Sequence, residues 1–355
     1  MEVENGGARP AADTPEAAGL RQLGLASGFG LALALHFLVK TPLSSLPHVA
    51  PWLRSVSSGA PLRVRSPWER ACPEVLPGLD TPGWIVGPTT DRASLPPPLA
   101  FIAALEEAAA DVRREFLALR GHAAFREYRA PARGEVGGGG GGGGGGEAAP
   151  AAAAAPPPLL GEAATDAGHW NVCYLQLHGA GAAEGVGGAL ARCPATAALL
   201  AAVPRNYGHA FFSVLAPGTH ITPHCGPSNK KLRVHLPLLV PPGAARMRVG
   251  GATVELQEGR ALCFQDSHEH EAWVDAGAPF PRAVLIVDVW HAALTDAEVK
   301  LLSFVRGSTL RAASAASAAG ALPPAHDFFA VLRAGATRRT ADEEVFGPLV
   351  PVRDD

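Results

Sequence analysis

From residue 231 to 240 the chain reads KLRVHLPLLV, and its apolar and polar positions alternate. Leu232, Val234, Leu236 and Leu238 share one face of an extended strand, while Arg233 and His235 share the other. Successive side chains of a strand point to opposite faces, so Arg233 and His235 must point the same way. Further short runs of strand character surround this one, at residues 169–177, 210–215, 261–266 and 282–289. Residues 246–256 carry Gly250-Gly251 between two apolar arms, a hairpin signal. Short strands separated by turn residues at close spacing predict a mainly β domain, a barrel or sandwich rather than a βαβ sheet.

A different period precedes this region. Ile102, Leu105, Ala109, Val112, Phe116 and Leu119 step by three and four, and Glu107, Arg113, Arg114 and Glu115 fall mainly elsewhere. That spacing predicts one amphipathic helix ending near Gly121, whose apolar face packs on the β domain. Residues 41–66 are rich in Pro and Ser without a sustained period and read as linker. Gly137 to Gly146 is an unbroken run of ten glycines, followed by alanine and proline runs. Such a run gains too little burial to offset its backbone entropy, which predicts a flexible insertion. No strand precedes it and no Lys-Ser/Thr follows, so it is not a phosphate loop.

These shifts divide the 355 residues into five parts. Residues 1–66 form an N-terminal segment with a candidate membrane anchor at 23–39 and the linker. Residues 67–133 are the helical start of the main domain, 134–160 the insertion, 161–310 the β domain and 311–355 an Ala-rich tail. The 17 uncharged residues 23–39 contain three glycines and sit at the lower limit for a span. The leader before them is acidic, which excludes an ordinary secretory signal. If the segment spans, the basic residues after it favour a single-pass protein with a cytoplasmic main domain; otherwise the chain is cytoplasmic.

Net charge of −3 and the absence of any Lys/Arg block exclude an electrostatic nucleic-acid binder. Five scattered cysteines contain no CxxC pair and make no dense disulfide framework; a single bridge such as Cys173–Cys193 stays open. Nothing in the sequence speaks to oligomeric state.

Chemistry concentrates in the β region, where seven of the 13 histidines lie. His224 sits in THITPHCGP (219–227), and His268 and His270 in DSHEHE (266–271). Arg282 opens an apolar strand, where a charge needs a partner. His209, His220 and His291 receive no role.

Together, PGTHITPHCGP with LRVHLPL, then Glu258-Gly259, FQDSHEHEAW (264–273) and IVDVWH (286–291), resemble the catalytic core of the aspartyl/asparaginyl β-hydroxylases. The resemblance covers residues 165–300 and implies an Fe(II)- and 2-oxoglutarate-dependent dioxygenase on a double-stranded β-helix, the cupin-like jelly roll, with flanking helices. It implies that His224 and His270 are the two iron ligands. Gly226 stands where most such oxygenases have a carboxylate, so water completes the coordination. Arg282 with Ser213 would hold the distal carboxylate of 2-oxoglutarate, and Arg233 with His235 the proximal one. O2 is the second co-substrate, and no catalytic residue beyond the metal ligands is implied. The product would be an alcohol at the β-carbon of Asp or Asn in a protein or peptide. The family's bacterial members hydroxylate a lipid acyl chain, which makes a lipid the alternative substrate and leaves membrane association open.

Two readings from other classes stand beside it. One is a non-catalytic cupin-like binding protein, although all six of His224, His270, Arg233, His235, Arg282 and Ser213 are present. The other is a structural zinc site of His224, Cys225, His268 and His270. Asp266, Glu269, Glu271 and Asp288 are expected to support ligands or face solvent rather than bind metal. Cys225, adjacent to His224, is expected to face away from it.

Overall fold

The computed structural model describes residues 41–58, 66–69, 72, 74–120, 125–128, 165–177, 180–181 and 188–318. The candidate anchor at 23–39, the insertion at 134–160 and residues 319–355 of the tail lie outside them.

Residues 64–294 build the main unit. Its helices are α1 (Phe101–Glu107), α2 (Ala109–Ala118) and α3 (Pro194–Ala202). Its strands are β1 (Trp84–Val86), β2 (Arg126–Glu127), β3 (Thr165–Ala167), β4 (Trp170–Leu177), β5 (Ala180–Gly181), β6 (Asn206–Leu215), β7 (His220–His224), β8 (Lys231–Leu239), β9 (Ala245–Val249), β10 (Ala252–Glu255), β11 (Leu262–Phe264), β12 (His270–Val274) and β13 (Arg282–Trp290). They form two antiparallel sheets. The larger runs β1-β11-β8-β13-β6-β4-β2, with β5 on β4, and the smaller runs β10-β9-β12-β7-β3. This is the double-stranded β-helix with flanking helices that the family resemblance implies, and its mainly β class is the one that the short alternating strands predict.

Alternation along β8 separates two cores. Leu232, Val234, Leu236 and Leu238 join Phe212, Leu285 and Val287 beneath a helix layer that contributes Ile102, Leu105, Val112 and Phe116. On the opposite face of the larger sheet, Phe211, Phe264, Val284 and Ile286 meet Ile221, Met247, Val249 and Ala272 of the smaller one. Arg233 and His235 therefore point between the sheets. The 3.6-residue face predicted from 102 to 119 is buried as expected, but the helix is broken at Ala108. Ala108 has ψ −1°, and Ile102 and Leu105 of the first half join Val112 and Phe116 of the second in one core cluster.

Residues 220–224 lie outside the runs of strand character read from the sequence, yet they form the strand β7. The misleading signal is a bulge. His270 pairs with His224 and Ala272 with Ile221, so Thr222 and Pro223 together face Glu271 alone. Proline cannot donate to a ladder and is tolerated at such an irregularity.

The second compact unit contains, among the described residues, 41–58 and 295–314. Here Val49–Ser58 is a helix inside the stretch read as linker; its proline, Pro51, lies in the first turn, where no intrahelical donor is lost. A 23-residue helix, Asp296–Ala318, begins at a capping box: Glu298 N donates to Thr295 Oγ1 at 3.2 Å and Thr295 N to Glu298 Oε2 at 3.0 Å. The Glu298 carboxylate also accepts from His48 N and Val49 N, at 2.6 and 2.9 Å. Among the described residues no helix is long and apolar enough to cross a membrane.

Candidate active site

Between the sheets lies a cavity of about 150 Å³ whose walls include His224, His270, Ser213, Arg233, His235 and Arg282. All six residues singled out from the sequence thus face one space. The zinc alternative does not assemble. Cys225 turns away as expected, its Sγ donating to Trp68 O at 3.5 Å and packing with Cys72 and Val75. His268 approaches Glu69 instead, and no group of three or more His, Cys, Asp or Glu among the described residues is placed to share a metal. All five cysteines are buried free thiols, so the Cys173–Cys193 bridge is not formed.

His224 ends β7 and His270 opens β12, directly opposite in the register, with ring centroids 4.1 Å apart. Each ring is held the same way. Nδ1 of His224 lies 2.8 Å from the carbonyl of Thr222, and Nδ1 of His270 lies 2.8 Å from that of His268. A carbonyl only accepts, so Nδ1 carries the proton and Nε2 keeps its lone pair for a metal. Burial presses the His224 pKa down to about 4 against the pull of the Thr222 carbonyl. Burial, then the neighbouring His224, holds His270 well below the usual imidazole value. His235 is lowered in the same direction by burial and then by Arg282.

These shifts have a testable consequence. The three imidazoles stay neutral in the folded chain while the unfolded chain takes up protons below pH ~6.5. Stability of the metal-free protein is therefore greatest above that pH and falls as the pH drops toward 4. The loss is on the order of 2–3 kcal/mol from His224 alone. Urea unfolding with chelator at pH 7.5 and 5.0 measures it, and equal stability at both would contradict the assignment of neutral rings.

Gly226 is the tightest position in the site. A Cβ there would lie 2.6 Å from both Cγ and Oδ2 of Asp266 and 2.8 Å from its carbonyl oxygen. The backbone is already close, with Gly226 N donating to Asp266 O at 2.6 Å. The carboxylate missing at 226 is thus replaced in space by one from the loop ahead of β12. Asp266 is fully buried; its Oδ2 pairs with Lys231 Nζ while Oδ1 has no partner among the described residues.

Strand register builds the rest of the charge network. Asp288 on β13 is opposite Arg233 of β8 on one side and His209 of β6 on the other. Arg233 donates to it through Nε at 2.8 Å and Nη2 at 2.9 Å, and Lys231 Nζ and His209 Nδ1 lie 3.0 and 3.2 Å away. Burial opposes the Asp288 carboxylate, but Arg233 and Lys231 outweigh it and hold its pKa well below the usual range. Burial likewise opposes the Arg233 cation, and Asp288 and Asp266 more than offset it. Lys231, Asp266 and Asp288 complete the site, and sequence reasoning gave the lysine no role. The signal was present, because Lys231 shares the period-2 face of Arg233 and His235.

Another part of the cavity wall has the opposite character. Arg282 is 2% exposed, and among the described residues no carboxylate pairs with it. Its one bond goes to Ser213 Oγ at 3.4 Å, and burial lowers its pKa to about 9. Ser213 Oγ also accepts from Trp170 Nε1 at 3.0 Å, so its own hydroxyl proton remains available to a ligand. Both ring nitrogens of His235 are buried without a partner among the described residues. A buried guanidinium, a spare hydroxyl and an unsatisfied imidazole suit an anionic ligand.

The donor set therefore fits an Fe(II) ion held by two imidazoles and a dicarboxylate held by a guanidinium. Residues 106–292 match the family described as Aspartyl/Asparaginyl beta-hydroxylase. The human Aspartyl/asparaginyl beta-hydroxylase is 41% identical over 113 residues, 31% of this chain and 15% of that protein. The human Aspartate beta-hydroxylase domain-containing protein 2 is 38% identical over 148 residues, 40% of this chain and 39% of that one. The chain thus spans well under half the length of these relatives. A solved oxidoreductase of the 2OG-Fe(II) oxygenase family from Burkholderia pseudomallei is 14% identical, with a TM-score of 0.26 over 39% of this chain and 77% of its own. The fold assignment rests on the two sheets rather than on that likeness. With the family match extending over more than half of its residues, the chain belongs to the aspartyl/asparaginyl β-hydroxylase family.

Proposed function

We propose that the chain is an Fe(II)- and 2-oxoglutarate-dependent dioxygenase that hydroxylates the β-carbon of Asp or Asn in a protein or peptide. The observation that carries this reading is one cavity lined both by a buried arginine with no carboxylate partner among the described residues and by two Nδ1-anchored histidines. His224 and His270 would hold the metal through Nε2. Arg282 and the Ser213 hydroxyl would bind the distal carboxylate of 2-oxoglutarate, and His235 with Arg233 would attend the proximal one. When bound, these groups with O2 supply the oxidising chemistry that converts 2-oxoglutarate to succinate and CO2 and a substrate C–H to C–OH.

The remaining residues prepare that chemistry. The Nδ1 bonds of the two histidines fix ring orientation before any metal arrives, and the low imidazole pKa values remove proton competition for Nε2. Asp288 and Asp266 hold Arg233 and Lys231 in place between the sheets, so the cations are oriented without being fully neutralised by solvent. Lys231, Arg233, Asp266 and Glu271 in the cavity wall offer partners to a polar acceptor side chain, beside an apolar lining that includes Trp170, Phe211, Met247 and Ile286.

The purified chain, given Fe(II), 2-oxoglutarate and O2 without substrate, is expected to form succinate slowly. His270→Ala is expected to reduce this to background. An intact chain that neither binds 2-oxoglutarate nor turns it over would remove the enzymatic reading.

A further inference from the structure

The two histidines are braced from behind by a short segment that lies upstream of the family match at 106–292. Pro67–Glu69 forms one tight turn, and the carbonyl of Trp68 serves both sides of the site. It accepts from Glu269 N at 2.7 Å, the residue before His270, and from Cys225 Sγ at 3.5 Å, the residue after His224. The Trp68 ring covers the β9–β10 turn, where a Cβ on Gly250 would meet it at 3.4 Å.

Glu69 reaches deeper. It is 6% exposed, and its Oε1 accepts from Ser267 Oγ at 2.6 Å, with His268 Nε2 3.9 Å away. Ser267 in turn accepts from Gln265 Nε2 at 3.0 Å, and Gln265 N donates to Gly83 O at 2.9 Å. The loop 265–269 is thus tied down along its length, and it carries the His268 carbonyl that orients His270. A few residues on, Leu76 N and O bond the side chain of Asn229 at 2.8 and 2.9 Å, closing the other end of the segment onto the loop after His224.

We infer that this upstream turn is a positioning brace for the metal site, with Glu69 as its key residue. Glu69 touches neither the metal nor a co-substrate position; it acts through Ser267 and the His268 carbonyl. The inference rests on reading His224 and His270 as ligands. Outer partners that fix a ligand's orientation characteristically change metal affinity by about 10–100-fold when removed.

The test is Co(II) binding to the full chain, followed by its visible absorption. Glu69→Ala is expected to weaken binding by about 10–100-fold and to alter the absorption bands. Glu69→Gln keeps an acceptor for the Ser267 hydroxyl and is expected to restore affinity near that of the unaltered chain. Ser267→Ala removes the tie together with the bond from Gln265 Nε2, which keeps its bond to Asn229 O, and should reproduce the loss; this keeps the proposal open to test if Glu69→Ala fails to fold. Phe116→Leu, in the helix layer, lowers the melting temperature without touching the brace and should leave Co(II) affinity unchanged. The brace is overturned if Glu69→Ala or Ser267→Ala binds Co(II) within about twofold of the unaltered chain. It is equally overturned if Phe116→Leu loses as much affinity as they do. Failure of the unaltered chain to bind Co(II), or binding that survives His270→Ala, would instead remove the ligand reading on which the brace depends.

Discussion

Gly226→Asp is expected to abolish turnover and to lower stability, although it would supply the carboxylate that most oxygenases of this type carry. The reason is spatial. The new Cβ alone would come within 2.6 Å of the Asp266 side chain, and Asp266 cannot retreat without leaving Lys231. Breaking a buried ion pair costs about 3–5 kcal/mol, and the substitution adds a second carboxylate to the same dry space. For a unit of this size that corresponds to a fall in melting temperature of roughly 6–15 °C. Scanning calorimetry of the metal-free variant measures the stability loss, and the succinate assay measures turnover. Higher turnover with an unchanged melting temperature would show that position 226 is a vacated ligand site rather than the floor beneath Asp266.

The second large effect has the opposite sign for stability. Arg282→Met keeps most of the side-chain volume and removes a buried cation whose one partner is a hydroxyl at 3.4 Å. Replacing buried charge by apolar volume is commonly neutral or stabilising by about 1–4 kcal/mol, so the metal-free variant should melt at or above the temperature of the unaltered chain. The unaltered chain should recover the difference when 2-oxoglutarate pairs with Arg282. At a ligand concentration 100 times Kd the linkage amounts to about 2.7 kcal/mol. The variant should show no such ligand-dependent shift while still binding Co(II). Thermal scans with and without 2-oxoglutarate, at saturating Co(II), separate the cases. A variant that keeps the shift would mean that Arg282 does not hold the co-substrate.

Both predictions rely on features that differ in how far they could be read from the chain. Alternation along 231–239 placed Arg233 and His235 on one face because side-chain direction in a strand depends on the backbone of that strand alone. The helical face at 102–119 was legible for the same reason, apart from its break at Ala108, which leaves the apolar period uninterrupted. The histidine motifs stood out by type and spacing. Their strands did not, because β7 is five residues long, bulged at Pro223 and flanked by turn residues that locally favour a loop. The helix Val49–Ser58 was hidden in a Pro- and Ser-rich stretch for a similar reason, since its proline sits where a helix tolerates one.

What the sequence by itself determined is the mainly β class, the family resemblance and the six residues facing the cavity. Each depends on a local period or a short motif. Tertiary structure decided what surrounds them: that Asp288 sits between Arg233 and His209, that Asp266 fills the space above Gly226, and that Glu69 stands behind Ser267. Those contacts join residues from 40 positions apart (Gly226 to Asp266) to 198 (Glu69 to Ser267), through strand registers and loop packing that no local pattern encodes. A residue's own backbone fixes which way it points, but only the packing of distant strands fixes what it meets there.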